Sequence, residues 1–442
     1  MNNNNVLPAN YYKLKGPCRN QVEFKTCCLN DLIPPEHKAR LVWDFVESMD
    51  TSICLQELHT IKGEVGRGAI DPKILLTLWI YTILDGNCSA RKLEELCENH
   101  DVYKWICGGV SVNRTTLADF RSANPRKFDE LLTTCLAVMV KSGLINDTDF
   151  SQDGTRVKAN AGFNAYRRED TLKALQSNIA TYIDQLKAEE VKTSNAYEKR
   201  QMARKEQAAI DKKNRIKEAL ENLEEARCEK IINGKRNHDS PTEDELKEMR
   251  ASITDPQCRK MKMGDGGYRL AYNIQFATGL DSRIVYGVDA VNTLDPGTAP
   301  IMMAQVQERL KKLNLNSIKN WIADSAYSAK NDIKTVALLF PNCLYYAPPK
   351  CRNKENAKKM VKGDCEAIKK WRDMIGNQEI NDLYKRRCST AEFSNMHIKN
   401  QSLEKLYVRG LTKVKGMAFL HAIAQNVSQY LNLFGEKLRN II

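Results

Sequence analysis

The sequence has few of the patterns that build a zinc site or a disulfide framework. It contains six histidines and 14 cysteines, but no two cysteines follow the CxxC spacing, and no histidine stands at zinc-finger distance from a cysteine pair. No basic segment leads into an apolar one at the beginning of the chain, so we expect no signal peptide. We therefore expect reduced cysteines, packed as small core residues in a cytoplasmic protein.

Long apolar runs are also missing. No stretch approaches the roughly 20 apolar residues that cross a bilayer, and the strongest one, 75–84, indicates a buried helix, so no membrane partner is expected. Hydrophobic residues make up 42% of the 442 positions, which is typical of a globular chain with two or three domains. The net charge of +13 favours a polyanionic partner such as nucleic acid, although many basic proteins bind none.

The first 143 residues divide into two parts. Residues 1–35 are predicted to be irregular, and the Asn tract at their start remains unassigned. Residues 36–143 are predicted to be an all-α domain, because apolar residues recur at three-and-four spacing and Asp71-Pro72 marks the start of an apolar helix. Within this domain, segment 111–121 indicates a turn and a short basic helix capped by Asn113.

That short helix has two interpretations. As a DNA-contacting helix it would offer four side chains to DNA: Arg114, Thr115, Thr116 and Arg121. As a small helix inside an all-α bundle it would have no such role, and the segment alone favours this second interpretation.

The remainder, 144–442, is predicted to be an α/β domain interrupted by a helical insertion. Residues 163–250 contain a long stretch without Gly or Pro, rich in Ala, Glu, Lys, Gln and Leu, which predicts a helical hairpin with a solvated charged surface. Strands are predicted at 149–153, 268–278, 282–291, 319–324 and 343–347, with helices at 299–313, 328–340 and 382–406. This order is the one expected of an RNase H-like mixed sheet.

Three acidic residues occupy informative positions in this order. Asp153 is predicted to end the first strand, with Gly154 turning the chain, and Asp324 ends the fourth strand. Glu392 lies on the last predicted helix. Since the first and fourth strands are neighbours in such a sheet, Asp153 and Asp324 would stand side by side.

Converged carboxylates favour a bound cation, and their hard oxygen ligands select Mg²⁺, with Mn²⁺ as a substitute. Two such ions support in-line phosphoryl transfer. Each acid alone has a simpler explanation: Asp153 as a turn residue, Asp324 as a helix cap and Glu392 as a solvated charge. Their joint placement favours the metal site. Tyr384, Arg387 and Lys399 lie near Glu392 and could hold a phosphate backbone, or form a solvated charged face.

The chain resembles the DDE transposases of bacterial insertion sequences, in the IS-four/IS-five-like superfamily and most closely the IS-eleven-eighty-two type. The resemblance is carried by 71–121, by DGTRVKANA at 153–161, by 255–275 with ADSAY at 323–327, and by 384–399 with 409–434. It implies Asp153, Asp324 and Glu392 as the catalytic acids, and it places Tyr384, Arg387, Glu392 and Lys399 near the family's Tyr-Arg-Glu-Lys signature. Four residues separate Arg387 from Glu392 where that signature has three, so Arg386 is the alternative to Arg387.

The resemblance also implies what the protein acts on. It would bind the terminal inverted repeats, cleave DNA with two divalent ions and join the freed 3′-hydroxyl to target DNA, as a homodimer in the DNA complex and associated with the nucleoid. The alternatives are a catalytically inactive or domesticated transposase that only binds DNA, and a nuclease that never joins strands. The presence of all three acids argues against the inactive form.

Overall fold

The computed structural model describes residues 28–56, 68–192, 195–237, 240–350 and 354–439. Within these ranges the side chains at 190–192, 233, 235–237, 354, 391–394, 402 and 436–439 are not described. The Asn tract at the beginning of the chain lies outside the described residues. None of the described helices is long and apolar enough to cross a membrane.

The N-terminal part is helical, as predicted. In the described residues of this part, a short 3₁₀ turn, Leu29–Leu32, precedes six helices: α1 (Lys38–Glu47), α2 (Pro72–Leu84), α3 (Ala90–Asn99), α4 (Asp101–Cys107), α5 (Arg114–Arg121) and α6 (Pro125–Lys141). Asp71 caps α2 by accepting from the Lys73 amide, and Asn113 caps α5 by accepting from the Thr116 amide. Both predicted caps are therefore confirmed.

The described residues after α6 form eight strands: β1 (Asp149–Lys158), β2 (Tyr166–Arg168), β3 (Arg250–Ser252), β4 (Arg259–Lys262), β5 (Tyr268–Gly279), β6 (Val285–Val291), β7 (Asn320–Ala323) and β8 (Leu344–Tyr346). Six of them form one mixed sheet in the order β4-β5-β1-β7-β8, with β6 also paired to β5. β1 is antiparallel to β5 and parallel to β7. The prediction that the first strand neighbours the strand ending at Asp324 is confirmed.

The helices of this second part are α7 (Glu169–Lys192), α8 (Ala196–Asn237), α9 (Glu243–Lys247), α10 (Thr298–Lys312), α11 (Lys330–Leu339), α12 (Lys354–Lys358), α13 (Glu366–Met374), α14 (Gln378–Ile398) and α15 (Leu411–Arg439). A π-helical turn, Lys399–Leu403, continues α14. The fold is thus a mixed α/β architecture behind an all-α N-terminal part.

The two long helices α7 and α8, called the helical arm below, pack against each other and have their own small core. Ile179, Ile183 and Leu186 of α7 meet Ile216 and Leu223 of α8. The spacing of these residues predicts the contact, because positions three and four apart share a helix face. Strands β2 and β3 pair with each other at the base of the arm, and neither strand was predicted.

Strand β1 is longer than predicted. Gly154 does not turn the chain after Asp153: β1 continues to Lys158, with Gly154 paired to Gln275 of β5. The physical reason is the close packing of polar side chains against Gly154. Asp153 therefore lies in the middle of a central strand, where its backbone is paired with Phe276 of β5.

Helix α15 joins the N-terminal helices to the sheet. It packs against α2 and α6 on one side and against β6 on the other. The Asn426 side chain accepts from the Val285 amide (2.8 Å) and donates to the Val285 carbonyl (2.8 Å), so it satisfies the backbone of β6. Both residues are completely buried. Arg309 of α10, also buried, adds a second link through Asp129 and Thr133 of α6.

We expect Asn426→Ala to lower the free energy of unfolding by about 3 kcal/mol, because two buried backbone groups lose their partners at a cost of about 1–3 kcal/mol each. Urea denaturation followed by circular dichroism measures this change. Ser428→Ala, at a half-buried position on the same helix, is the control and should change it by less than about 1 kcal/mol. Equal losses in both variants would contradict the role assigned to the Asn426 amide.

Candidate active site

Two acidic residues meet where β1 and β7 run in parallel. The last paired residues of the two strands are Gln152 and Ala323. Asp153 and Asp324 are the next residues along each strand, so the parallel register places them at the same level. The structure thus brings together the first two of the three predicted acids.

Helix α14 supplies the contacts to Asp153. The Arg387 Nη2 lies 3.2 Å from Asp153 Oδ1, and the Asn395 Nδ2 donates to Asp153 Oδ2 at 2.9 Å. The Asp153 side chain is about one-fifth exposed (21%), so its charge is poorly solvated. Burial raises the pKa of Asp153 to about 6; the Arg387 guanidinium opposes this rise, whereas Asp324 and Asp295 add to it.

Asp324 also caps a short helix. Its Oδ1 accepts from the Ala326 amide at 2.7 Å, at the start of the 3₁₀ turn Ser325–Tyr327. One simpler explanation considered for Asp324, a capping role, is therefore present in the structure. The corresponding explanation for Asp153, a turn residue, is wrong because the strand continues past it.

The remaining predicted residues lie along α14 and just after it. Glu392 stands between Arg387 and Asn395 in the sequence of this helix, and its side chain is not among those described. The half-buried Tyr384 ring meets the Tyr346 ring edge-on at 5.9 Å, and the Arg387 Cζ lies 5.9 Å from the Tyr384 ring centre. Lys399 is exposed at the start of the π-helical turn.

Arg386, the alternative to Arg387, points elsewhere. Its Nη2 lies 2.5 Å from Asp281 Oδ1, and its Nη1 lies 4.0 Å from Asp149 Oδ2. Arg387 is the guanidinium at Asp153 although its spacing from Glu392 departs from the usual signature.

A buried polar network lies on the opposite face of the sheet and contains an acid that sequence reasoning missed. Because alternate residues of a strand point to opposite faces, Gln152 faces away from Asp153. Its Nε2 donates to Gln275 Oε1 (3.0 Å) and to Thr298 Oγ1 (3.1 Å). Gln275 and Asn273 each donate to Asp295 Oδ1 at 2.9 Å. In the sequence, Asp295 precedes Pro-Gly and a helix, which indicates only a turn.

Gly154 is required by this network. A Cβ atom at this position would lie 2.4 Å from Gln275 Nε2, 2.5 Å from Asp295 Oδ1 and 2.8 Å from Asn273 Oδ1. Carbon atoms do not approach polar atoms so closely without displacing them. The glycine therefore permits close packing inside a strand and does not end it.

The residues around Asp153 fit a divalent cation by the chemistry of their donor atoms. The Asn395 Oδ1, the Thr155 Oγ1 and the Arg387 Nε are buried and have no hydrogen-bond partner among the described residues. Two of these three are oxygen acceptors, and hard oxygen ligands suit Mg²⁺. No three His, Cys, Asp or Glu side chains converge as a metal cluster among the described residues, a set that leaves out the Glu392 side chain.

The DNA-contacting residues predicted in the N-terminal part are only partly accessible. Arg114 and Thr115 are exposed and Thr116 is half-buried. Arg121 is a correction: it is 7% exposed, donates to the Cys88 carbonyl and lies 4.9 Å from the Trp79 ring centre. Its apolar stem and planar head pack inside the helical part, so it is not available to DNA.

Two family comparisons agree with this arrangement. The transposase domain family DUF772 matches residues 27–123, which include α1 to α5, and the transposase DDE domain family matches residues 342–431, which include α14. Together, the two matches support an insertion-sequence DDE transposase. The second match covers the helix that carries Glu392, while both aspartates of this transposase lie before it. No curated protein and no solved structure matches the chain at a significant level.

The raised pKa of Asp153 predicts a pH dependence of stability. A carboxyl whose folded-state pKa lies above its unfolded value destabilises the fold at high pH. This cost falls as the pH drops from about 6 and is lost near the unfolded pKa of 3.8. We expect Asp153→Asn to be more stable than the wild type at pH 8 in EDTA, by no more than about 2 kcal/mol. The difference should shrink at pH 5.

Thermal melts of both proteins across this pH range measure the difference. Mg²⁺ should stabilise the wild type more than Asp153→Asn at pH 8, because the ion places positive charge beside the ionised Asp153 carboxylate, which the variant lacks. A difference in stability that does not vary with pH would contradict the burial of an ionised Asp153.

Gly154 gives a second prediction. We expect Gly154→Ala to reduce the free energy of unfolding by about 2 kcal/mol, because the added carbon displaces the amide and carboxylate groups around Asp295. Gly162→Ala is the matched control, since a Cβ there meets nothing within 4 Å. Chemical denaturation of both variants tests this, and equal effects would show that space at Gly154 is not limiting.

Proposed function

We propose that this transposase binds the terminal inverted repeats of an insertion sequence and catalyses metal-dependent DNA strand cleavage and strand transfer. The observation that carries the proposal is the meeting of Asp153 and Asp324 on adjacent parallel strands, under the helix that carries Glu392. Asp153, Asp324 and Glu392 are the proposed catalytic acids and metal ligands. By its motifs, we propose that it is of the IS-eleven-eighty-two type.

Two Mg²⁺ ions, with Mn²⁺ as a substitute, would be held by Asp153, Asp324 and Glu392. When bound, they supply the Lewis acidity and charge compensation that phosphoryl transfer requires. The protein's own groups set up the site. Arg387 neutralises part of the Asp153 charge, and Asn395 fixes the direction of one of its oxygens.

Other residues support the strand that carries Asp153 or are proposed to contact DNA. The network behind the strand, from Gln152 through Gln275 to Asp295, holds the β1 backbone rigid from the opposite face. Tyr384, Arg387 and Lys399 are proposed to contact the phosphate backbone near the cleaved bond. Arg114, Thr115 and Thr116 are proposed to contact the element ends.

The proposed domain division follows from this assignment. Residues 36–143 would bind DNA, and 144–442 would form an RNase H-like catalytic domain in which the helical arm is an insertion at 163–250. Two element ends must be held together for transposition, so we propose a homodimer in the DNA complex.

A cleavage assay tests the proposal. The substrate is a duplex that carries the end of the element, in Mg²⁺, and the variants are Asp153→Asn and Glu392→Gln. We expect each to lose at least about 100-fold in cleavage rate, because even supporting residues of metal and oxyanion sites cost about this much. Glu379→Gln, an exposed acid on the same helix, is the matched control and should cleave at the wild-type rate.

Other outcomes of this assay would change the assignment. Full cleavage by Asp153→Asn would remove its basis. Binding without cleavage by the wild type would indicate a DNA-binding protein without chemistry, and cut ends without joined product would indicate a nuclease.

A further inference from the structure

A strongly basic cleft lies at the base of the helical arm, away from the carboxylates. Its volume is about 470 Å³. Four of the residues that line it are basic and none is acidic: Arg167 of β2, Lys212 and Arg215 of α8, and Arg409 just before α15. Four positive charges from three separate segments therefore converge on one opening.

The four basic side chains of the cleft are not neutralised by ion pairs. All four are exposed, and no ion pair to Asp or Glu involves them among the described residues. Elsewhere on the arm, Arg227 pairs with Glu169 at 2.5 Å and Lys230 pairs with Glu245 at 3.1 Å. The buried Asp255 carboxyl lies near Arg409, but the four basic side chains still leave the cleft with excess positive charge, which suits a polyanion.

Helix geometry and one hydrogen bond position three of the four basic side chains. Lys212 and Arg215 are three residues apart on α8 and so share a face. Ala251 of β3 packs into the small core of the helical arm, which holds α8 against the base of the arm. The Arg409 Nε donates to the Asn160 carbonyl at 3.2 Å, which fixes its guanidinium at the rim of the cleft.

Two further exposed basic residues lie near the cleft, where β1 ends. Lys158, at the end of β1, forms a backbone β-bridge with Lys405, and both residues are exposed. Asp153 lies five residues before Lys158 on the same strand, which corresponds to about 17 Å at roughly 3.3 Å per residue. That length equals about five base pairs of duplex DNA.

We propose that this cleft binds the sugar–phosphate backbone of double-stranded DNA, about five or more base pairs from the phosphate at Asp153. A duplex is the polyanion that can span both places, because about five of its base pairs match the length of strand between them. The inference rests on the proposed function in one respect: that the DNA at Asp153 is the cleaved end of the element. It gives the helical arm a role in DNA binding that is separate from chemistry.

The first test is the salt dependence of DNA binding by the full-length chain. A fluorescent 30-base-pair duplex with the element end is titrated in EDTA across a series of KCl concentrations, with Lys212→Ala/Arg215→Ala as the variant. We expect at least about 10-fold weaker binding and a salt slope smaller by about 2, roughly 0.9 for each lost phosphate contact.

The controls use the same helix. Lys213→Ala/Lys217→Ala removes the same charge from exposed positions that do not line the cleft, and it should retain the wild-type slope. Lys212→Arg/Arg215→Lys, which keeps both charges, should also retain it. An unchanged slope in the cleft variant, or an equal loss in the control, overturns the proposal.

A second test locates the contact. Single neutral methylphosphonate linkages are placed along the duplex, and the affinity of each is compared between the wild type and the cleft variant. We expect the wild type to lose affinity at linkages five or more base pairs from the cleaved bond, and the cleft variant to lose none there. Losses confined to the cleaved bond would overturn the proposal.

Because binding is measured in EDTA, the two proposals can fail separately. A smaller salt slope in the cleft variant together with no cleavage by the wild type would support the cleft and contradict the proposed chemistry. Normal cleavage with an unchanged slope would do the reverse.

Discussion

The position of strand β1 between an antiparallel neighbour, β5, and a parallel one, β7, is the constraint on which the rest of this structure depends. The parallel register with β7 brings Asp153 and Asp324 to one level. The antiparallel register with β5 places Gly154 opposite Gln275, so that the polar network can close behind the strand. A shift of one residue would turn Asp153 to the opposite face and break both arrangements, because strand side chains alternate.

This strand separates two polar environments with different tasks. On one face, Arg387 and Asn395 of α14 contact Asp153, and the Arg387 guanidinium favours the charged form of its carboxyl. On the other face, Gln152 and Gln275 are fully buried and bonded to each other. A buried network with its bonds satisfied makes the strand rigid, whereas unpaired acceptors on the carboxylate face leave room for a cation. The strand therefore has one rigid, hydrogen-bonded face and one carboxylate face with oxygen atoms available to a cation.

Periodic segments could be predicted well and single side chains less so. The caps at Asp71 and Asn113 follow from local chemistry, since each carboxylate or amide bonds to a backbone group two or three residues away. Arg121 shows the limit: it is polar and ends a short basic helix, yet it packs against Trp79. Asp295 is a second example. Its Asp-Pro-Gly sequence predicts only a turn and does not indicate that its carboxylate accepts hydrogen bonds from Asn273 and Gln275 of β5.

The sequence by itself determined the helical and β-rich segments, the family and the two aspartates that end up side by side. These follow from residue spacing and from motifs, which are local properties of the chain. Only the tertiary structure decided that Arg387 and not Arg386 faces Asp153, that Gly154 serves close packing and not a turn, and that Arg167, Lys212, Arg215 and Arg409 converge on one cleft. The physical reason is that these contacts join residues far apart in the chain, and their distances depend on the packing of strands and helices that no local pattern encodes.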